Sequence, residues 1–499
     1  MKLIKKIAAI MFAFMMVVSM SCNVKADDTT TATTGETGTI TINNAIPEQT
    51  YTIYKILDLE SYSPKEVDGK ETGNFAYKPS SEWKSFIEGG SVKDIYFTFD
   101  GEYVSWKENA DPAAFAKLAL DYAKQNGNIV KTFYKKSAPA ASAGQATSTL
   151  TFEVPSLGYY LVDSSVGTLC SLDTTKPAAT IQEKNGVPSV DKIITSGGVV
   201  SADGKYNSAS IGDTVYFKTT ITAQPGAQNY VLHDKMTDGL TFNNTVEVKK
   251  GEPPVETSDY TLKTSDFNDD CTFEIVFGQT FCDDLQKDEK ITVTYSATLN
   301  ESAVIAGEGN KNETWLKYGE NNNLETTHPT TDTKTFEMHV FKFYKDKRNS
   351  DKETGLADAV FTLSKKSDGT EPIKLTKTNE NSNIYKVDKN GAISKITTPT
   401  GGKFTIQGLG AGTYYLTETK QPAGYNKLSG PVTVVIDENG KVTVGNETNP
   451  VDKVGVENKT GTVLPSTGGA GTTMIYLIGG ALVLGSGVVL VTKRRVKGK

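Results

Sequence analysis

Histidine and cysteine are scarce in this chain, with three of the first and four of the second among 499 residues. The histidines at 233, 328 and 339 have no HExxH-type spacing that would set two of them on one metal. Paired zinc cysteines, a GxSxG elbow and a P-loop are also missing. Common metal, hydrolase and nucleotide chemistries are therefore excluded, and no cofactor is implied. A basic surplus is lacking too. The net charge of −6 argues against nucleic acid as a partner. Outside the N-terminal leader only Cys170, Cys271 and Cys282 remain, too few for a disulfide framework, although Cys271 and Cys282 are near enough to pair locally. Asp269-Asp270 and Asp283-Asp284 offer oxygens to Ca²⁺ but read as solvated turns, so no metal site is expected.

Long apolar runs occur only at the two ends. Lys2, Lys5 and Lys6 precede the run Ile7 to Val18, and Val24-Lys25-Ala26 follows as a small-residue cleavage site. Residues 1–26 thus read as a secretory leader. Cys22 is an unsuitable lipidation site, because Ser19 stands where a branched aliphatic is expected. At the other end Leu464-Pro465-Ser466-Thr467-Gly468 is followed by an uncharged run, 474–491, and then by Lys493, Arg494, Arg495, Lys497 and Lys499. The run is about 18 residues long, roughly the minimum for a bilayer core of ~30 Å. Its basic flank would stay cytoplasmic. Between the two ends lies enough chain for about three domains of ~150 residues each.

Most of that chain reads as β-structure, in short runs of Thr, Val, Tyr and Phe separated by Gly, Asn, Asp and Pro. Thr214 to Thr222, Lys290 to Leu299 and Pro431 to Ile436 alternate with period two. The first third also carries helix: Pro112 to Gln125 has helical apolar spacing, and Ser81 to Glu88 predicts a shorter one. Ser137 to Ser148 is an Ala/Ser/Gly-rich loop. Composition shifts at Glu183 to Pro188 and Asn321 to Thr333 set domains at 27–185, 186–333 and 334–460, with a tail at 461–499. The fold class is all-β, tandem immunoglobulin-like sandwiches with some helix in the first. A short echo links Gly158-Tyr159-Tyr160-Leu161-Val162-Asp163 with Thr413-Tyr414-Tyr415-Leu416-Thr417-Glu418.

Alternation puts ionisable groups on apolar faces. Val340, Lys342 and Tyr344 share a face, as do Tyr414, Leu416 and Glu418, and Val454, Val456 and Asn458. An unpaired buried charge is costly, so such groups pair or neutralise. Burial drives Lys toward a nucleophilic neutral amine and Glu toward a protonated acid. The acid can polarise the Asn amide while the amine attacks it, leaving a Lys–Asn isopeptide bond and ammonia. The middle domain offers Lys192 between Val190 and Ile194, Asp234 between Leu232 and Met236, and Asn312 on a face with Thr314, Leu316 and Tyr318. In the first domain Lys55 and Asp163 lie on apolar faces, but no Asn follows the last strand before Asn185, so no bond is expected there.

The C-terminal order of parts resembles the cell-wall sorting signal of Gram-positive surface proteins, in which a sortase cuts an LPxTG motif between Thr and Gly. That implies joining of Thr467 to an amine after cleavage before Gly468, with Leu464 and Pro465 read by the enzyme. Tyr414-x-Leu416-x-Glu418-Thr419-x-x-Pro422-x-Gly424-Tyr425 is similar to the E-box of CnaB-type domains in Gram-positive pilins and adhesins. The resemblance implies a Lys342–Asn458 isopeptide bond promoted by Glu418. Segments around Lys192, Asp234 and Asn312 resemble strands of pilin middle domains, where an Asp can replace the Glu. Across nearly the whole exported chain the likeness is to backbone (shaft) subunits of sortase-assembled pili. In that family a lysine of a YPKN-like motif accepts the Thr carbonyl of the next subunit. Ile181-Gln182-Glu183-Lys184-Asn185 occupies the matching place, with Gln182 and Glu183 in place of the usual Tyr and Pro. Lys184 is thus the implied acceptor, and Lys176 its competitor. The implied partners are sortase, identical subunits in a covalent polymer, minor tip and base pilins, peptidoglycan and a host surface ligand. Such a protein acts once upon itself, is no enzyme in the usual sense, and resides on a Gram-positive surface. The alternative is a monomeric wall-anchored adhesin that binds a host matrix protein or glycan.

Overall fold

The computed structural model describes residues 36–461 and 470–496, apart from 64–65, 68–69, 72, 144, 176–177, 347–348 and 350–351. The leader, Lys176 and the LPSTG motif lie outside the described residues. The chain is a tandem array of β-sandwiches, each made of two facing sheets.

In the first sandwich a three-stranded sheet sets Gly38–Ala45 between Ala178–Gln182 and Ser148–Val154. The facing sheet is built on Thr50–Ser63 and Gly158–Ser164, which are antiparallel neighbours. Helix Pro112–Gln125 begins where the sequence predicts. Asp111 caps it by accepting from the Ala113 and Ala114 amides, and proline occupies the first helical position. Its buried face of Phe115, Ala116, Ala119, Leu120 and Ala123 packs on an aromatic cluster that includes Trp83, Tyr96 and Phe97. The second predicted helix is shorter than expected, at Lys84–Ile87, and is followed by another at Gly90–Tyr96.

The middle sandwich faces a four-stranded sheet (Ser189–Ser196, Thr214–Thr222, Lys290–Leu299 and Leu240–Lys250) against a larger one containing Val231–Met236, Phe273–Phe277, Asn310–Tyr318 and Thr330–Lys334. Alternation is strict in Lys290–Leu299, where every second residue is buried. Only Thr335 separates Thr330–Lys334 from Phe336–Asp346, the first strand of the third sandwich. Thr335 is itself buried and donates to the Leu409 carbonyl.

In the third sandwich Phe336–Asp346 lies between Lys403–Leu409 and the last strand, Val454–Glu457, which runs parallel to it with Lys342 opposite Val456. The facing sheet centres on Gly412–Lys420, flanked by Val360–Ser364 and Val432–Ile436. Close approach at the first strand demands glycine. Gly402 accepts from the Lys342 amide, has a φ of +71°, and a Cβ there would meet the Lys342 carbonyl oxygen at 2.1 Å. After the sandwiches, helix Ala470–Val496 contains a stretch, Met474–Lys493, apolar enough and long enough to cross a membrane.

Candidate functional site: two buried amine–acid–amide trios

Lys192 projects from Ser189–Ser196 into the middle core, its neighbours Val190 and Ile194 buried beside it. From the facing sheet come Asp234 and Asn312, on adjacent strands in which Met236 is opposite Asn312. All three side chains are fully buried. Lys192 Nζ lies 2.6 Å from Asp234 Oδ2. The Tyr295 hydroxyl completes the group: it accepts from Lys192 Nζ, donates to Asp234 Oδ2, and accepts from Asn312 Nδ2 at 3.3 Å. Phe217 stacks on Tyr295, and the ammonium sits 5.5 Å from the Phe217 ring centre. In this buried cage desolvation pulls the Lys192 pKa down to about 8, with the Asp234 charge opposing. Burial also raises Asp234 above the usual carboxylate range, Lys192 opposing. Both shifts favour the uncharged partners.

The third sandwich repeats the arrangement with different parts. Lys342 stands on the first strand, Glu418 on the facing sheet, and Asn458 just beyond the last strand, where its amide donates to the Phe343 carbonyl. All three are buried. Lys342 Nζ is 3.3 Å from Glu418 Oε1, outside hydrogen-bond geometry. Asn458 Nδ2 donates to Glu418 Oε2 at 3.2 Å and to the Asn426 carbonyl at 2.7 Å, and the Leu428 amide also donates to Oε2. Burial lowers the Lys342 pKa, with Glu418 opposing.

A shared defect marks both trios. Asp234 Oδ1, Asn312 Oδ1, Lys342 Nζ, Glu418 Oε1 and Asn458 Oδ1 are buried without hydrogen-bond partners. A buried polar atom left without a hydrogen bond costs about 1–3 kcal/mol in a purely structural role, offset here for Lys342 Nζ and Glu418 Oε1 by their 3.3 Å ion pair. In both trios the amide nitrogen is held from the acid's side, by Glu418 or through Tyr295, and the amide oxygen accepts nothing. An amine whose pKa burial lowers, a carboxyl beside it and a fixed amide are the components of amide exchange.

The other sequence candidates lie apart from these cores. Lys184 is exposed between Ala178–Gln182 and Ser189–Ser196, its Nζ donating to the Cys170 carbonyl at 3.2 Å. Glu183 Oε1 accepts from the Lys184 and Asn185 amides, which fixes the local turn. Lys55 bonds Ser156 and Asp58, whereas Asp163 pairs with Lys124, so the two do not meet. Cys170, Cys271 and Cys282 are all free. Two residues escaped sequence reasoning. Tyr295 was visible only as a tyrosine on an apolar strand face, and the Asn426 carbonyl carries no sequence signal.

Residues 211–322 match the Gram-positive pilin backbone subunit 2, Cna-B-like domain; residues 341–448 match the SpaA prealbumin-like fold domain; and residues 456–498 match the LPXTG cell wall anchor motif. No enzyme family is among these matches. No curated protein matches the chain. Among solved structures, the T6 backbone pilin of serotype M6 Streptococcus pyogenes is 17% identical, with 83% of this chain and 81% of that one covered and a TM-score of 0.50. The full-length RrgB pilus protein of Streptococcus pneumoniae is 15% identical over 88% of this chain and 100% of that one, with a TM-score of 0.45. A C-terminal fragment of the major pilin GBS80 of Streptococcus agalactiae is 20% identical over 55% and 100%, with a TM-score of 0.41. The class is thus a Gram-positive surface protein of tandem sandwiches anchored in the cell wall. More particularly, its middle sandwich is a pilin-backbone Cna-B-like domain and its third a prealbumin-like one.

Proposed function

We propose that this chain is the shaft subunit of a covalently polymerised pilus, strengthened internally by two self-made isopeptide bonds. Sortase cleaves between Thr467 and Gly468, and the Thr467 carbonyl passes to Lys184 of the next subunit. Minor pilins at tip and base, and finally peptidoglycan, complete the assembly. Within each subunit Lys192 joins Asn312 under Asp234, and Lys342 joins Asn458 under Glu418. In each case the neutral amine attacks the amide carbon, the acid supplies a proton to the departing nitrogen and takes back the one the lysine nitrogen sheds, and ammonia leaves as the C–N bond of the Asn amide breaks. The observation that carries this reading is the pair of buried trios with five polar atoms that make no hydrogen bond. The backbone-pilin and anchor matches support it from a separate direction.

Intact mass decides the internal chemistry. Two bonds lower the mass by about 34 Da, one ammonia of about 17 Da for each. Asp234→Ala and Glu418→Ala should each restore about 17 Da, and a parent at its sequence mass would refute both bonds. Assembly is tested by Lys184→Ala, which should abolish the high-molecular-weight ladder and leave wall-linked monomer. A ladder that survives there but is lost in Lys176→Ala would move the acceptor.

A further inference from the structure

Strand alternation sends Asp234 into the middle core, so its neighbour His233 faces the other side of Val231–Met236. A second cluster is built there. Glu274 is directly opposite His233 on the adjacent strand, and the segment ahead of Phe273–Phe277 brings Asp269 and Cys271 alongside. His233 Nδ1 lies 3.2 Å from Asp269 Oδ2, 3.4 Å from Glu274 Oε1 and 3.3 Å from Cys271 Sγ. One donor atom from each of the four residues falls within 4.8 Å of all the others.

The ring nitrogen carries at most one N–H and the Cys271 thiol one S–H, so four potential ligand atoms are gathered round two hydrogens. Around a tetrahedral zinc with Zn–N and Zn–O near 2.0–2.2 Å and Zn–S near 2.3 Å, neighbouring ligand atoms sit about 3.3–3.6 Å apart. The three spacings from His233 Nδ1 lie at or just below that range, and the remaining pairs fall within 4.8 Å, so a small inward movement of the side chains would close the set on one ion. His233 is only 3% exposed, so Nδ1 meets the other three donors away from bulk solvent. Asp269 Oδ1 is buried without a partner, since Lys317 engages Oδ2 alone, at 3.0 Å. The imidazole stacks on Trp315 at 5.1 Å with the rings 9° from parallel, so its orientation is fixed in advance.

We propose that His233, Asp269, Cys271 and Glu274 form a structural binding site for a borderline divalent transition-metal ion, zinc above all. Thiolate and imidazole donors select zinc over Ca²⁺ or Mg²⁺, which prefer oxygen alone. Four protein ligands close the coordination sphere, the mark of a structural site. Binding releases the Cys271 thiol proton to solvent as the thiolate forms. Sequence spacing hid the site because His233 lies more than thirty residues from its partners and only strand pairing unites them. The ion would pin the 264–272 segment to the strand that carries Asp234, where the Thr272 amide already donates to the Asp234 carbonyl.

The test uses the untagged full chain, stripped with chelator and titrated with Zn²⁺ by calorimetry and metal analysis. One zinc per chain is expected, with a higher Tm in zinc and none of that rise in Mg²⁺ or Ca²⁺. Cys271→Ser and Glu274→Gln should each weaken zinc binding at least about tenfold, whereas Cys282→Ser should not. Co²⁺ should give the parent a thiolate-to-metal charge-transfer band that Cys271→Ser lacks. Zinc held equally well by Cys271→Ser, or no binding by the parent, overturns the site. Should the variant fail to fold, absence of the Co²⁺ band in the parent is decisive by itself.

Discussion

Tyr295 touches amine, acid and amide in the middle trio, whereas the third trio has no phenol and uses the Asn426 carbonyl instead. Alternation made Lys192, Asp234, Lys342 and Glu418 legible, because each breaks an apolar stripe. It could not reveal Tyr295, since tyrosine fits such a stripe unremarked and its hydroxyl partners come from three other strands. The proposed chemistry has a defined pH dependence. A lowered lysine pKa by itself would make the reaction faster with rising pH until the amine is fully neutral. Here, however, amine and acid share one proton, and neutral amine plus protonated acid holds as many protons as the ion pair. Above pH about 8 the Lys192–Asp234 pair loses that proton, and the acid can no longer protonate the leaving nitrogen. Middle-bond formation in unreacted chain, refolded from denaturant and followed by intact mass, should therefore slow above pH about 8. Tyr295→Phe should slow it at every pH while leaving the fold formed. A rate that climbs steadily through pH 10 would show that the acid's proton is not needed.

At the scale of elements, strands with clean alternation are readable to the residue, as Thr214–Thr222 and Lys290–Leu299 show. The Asn- and Thr-rich stretch 321–333 is harder. It reads as a polar linker, yet Thr330–Lys334 is a strand whose Thr331 and Thr333 are buried. Threonine is β-branched and suits a strand, but surrounding Asn and Thr conceal the period. Helix Gly90–Tyr96 is hidden for a different reason: Gly89-Gly90 looks like a terminator, whereas it opens the helix. Helix Pro112–Gln125 also links two sandwiches. Its Lys124 is 3.4 Å from Asp163 in the first and 3.1 Å from Glu320 in the middle one. Burial, opposed by Lys124, raises Asp163 to about 6. A raised carboxyl pKa means that the folded state keeps a proton the unfolded state has lost. Its stabilising contribution is complete below the ordinary aspartate pKa and disappears as pH rises through about 6. Two pKa units amount to about 3 kcal/mol. Asp163→Asn should flatten the fall in first-sandwich stability between pH about 4 and about 6, as read by denaturant melts. An unchanged slope would mean that another group titrates there.

For the whole molecule, the place of Lys184 matters as much as its exposure. It follows Ala178–Gln182, the last strand of the first sandwich, and precedes Ser189–Ser196. Under the proposed linkage, tension passed between subunits enters at Lys184 and leaves at Thr467. Residues before Lys184 then lie off the line of force, like a pennant tied to a rope. Both trios fall within the stretched segment, at 192–312 and 342–458. The described part of the first sandwich holds no such trio. In the third sandwich the terminal strands are parallel neighbours, so a Lys342–Asn458 bond shunts force past everything between them. Glu418→Ala should let that sandwich extend when single chains are pulled from Lys184 and Thr467, whereas the parent should stay short. The first sandwich should behave oppositely. It can soften, acquire altered loops or unfold, and the filament's breaking strength should not change. Its surface is thereby released from the mechanical demands on the rest of the chain, and its sequence can change for display alone.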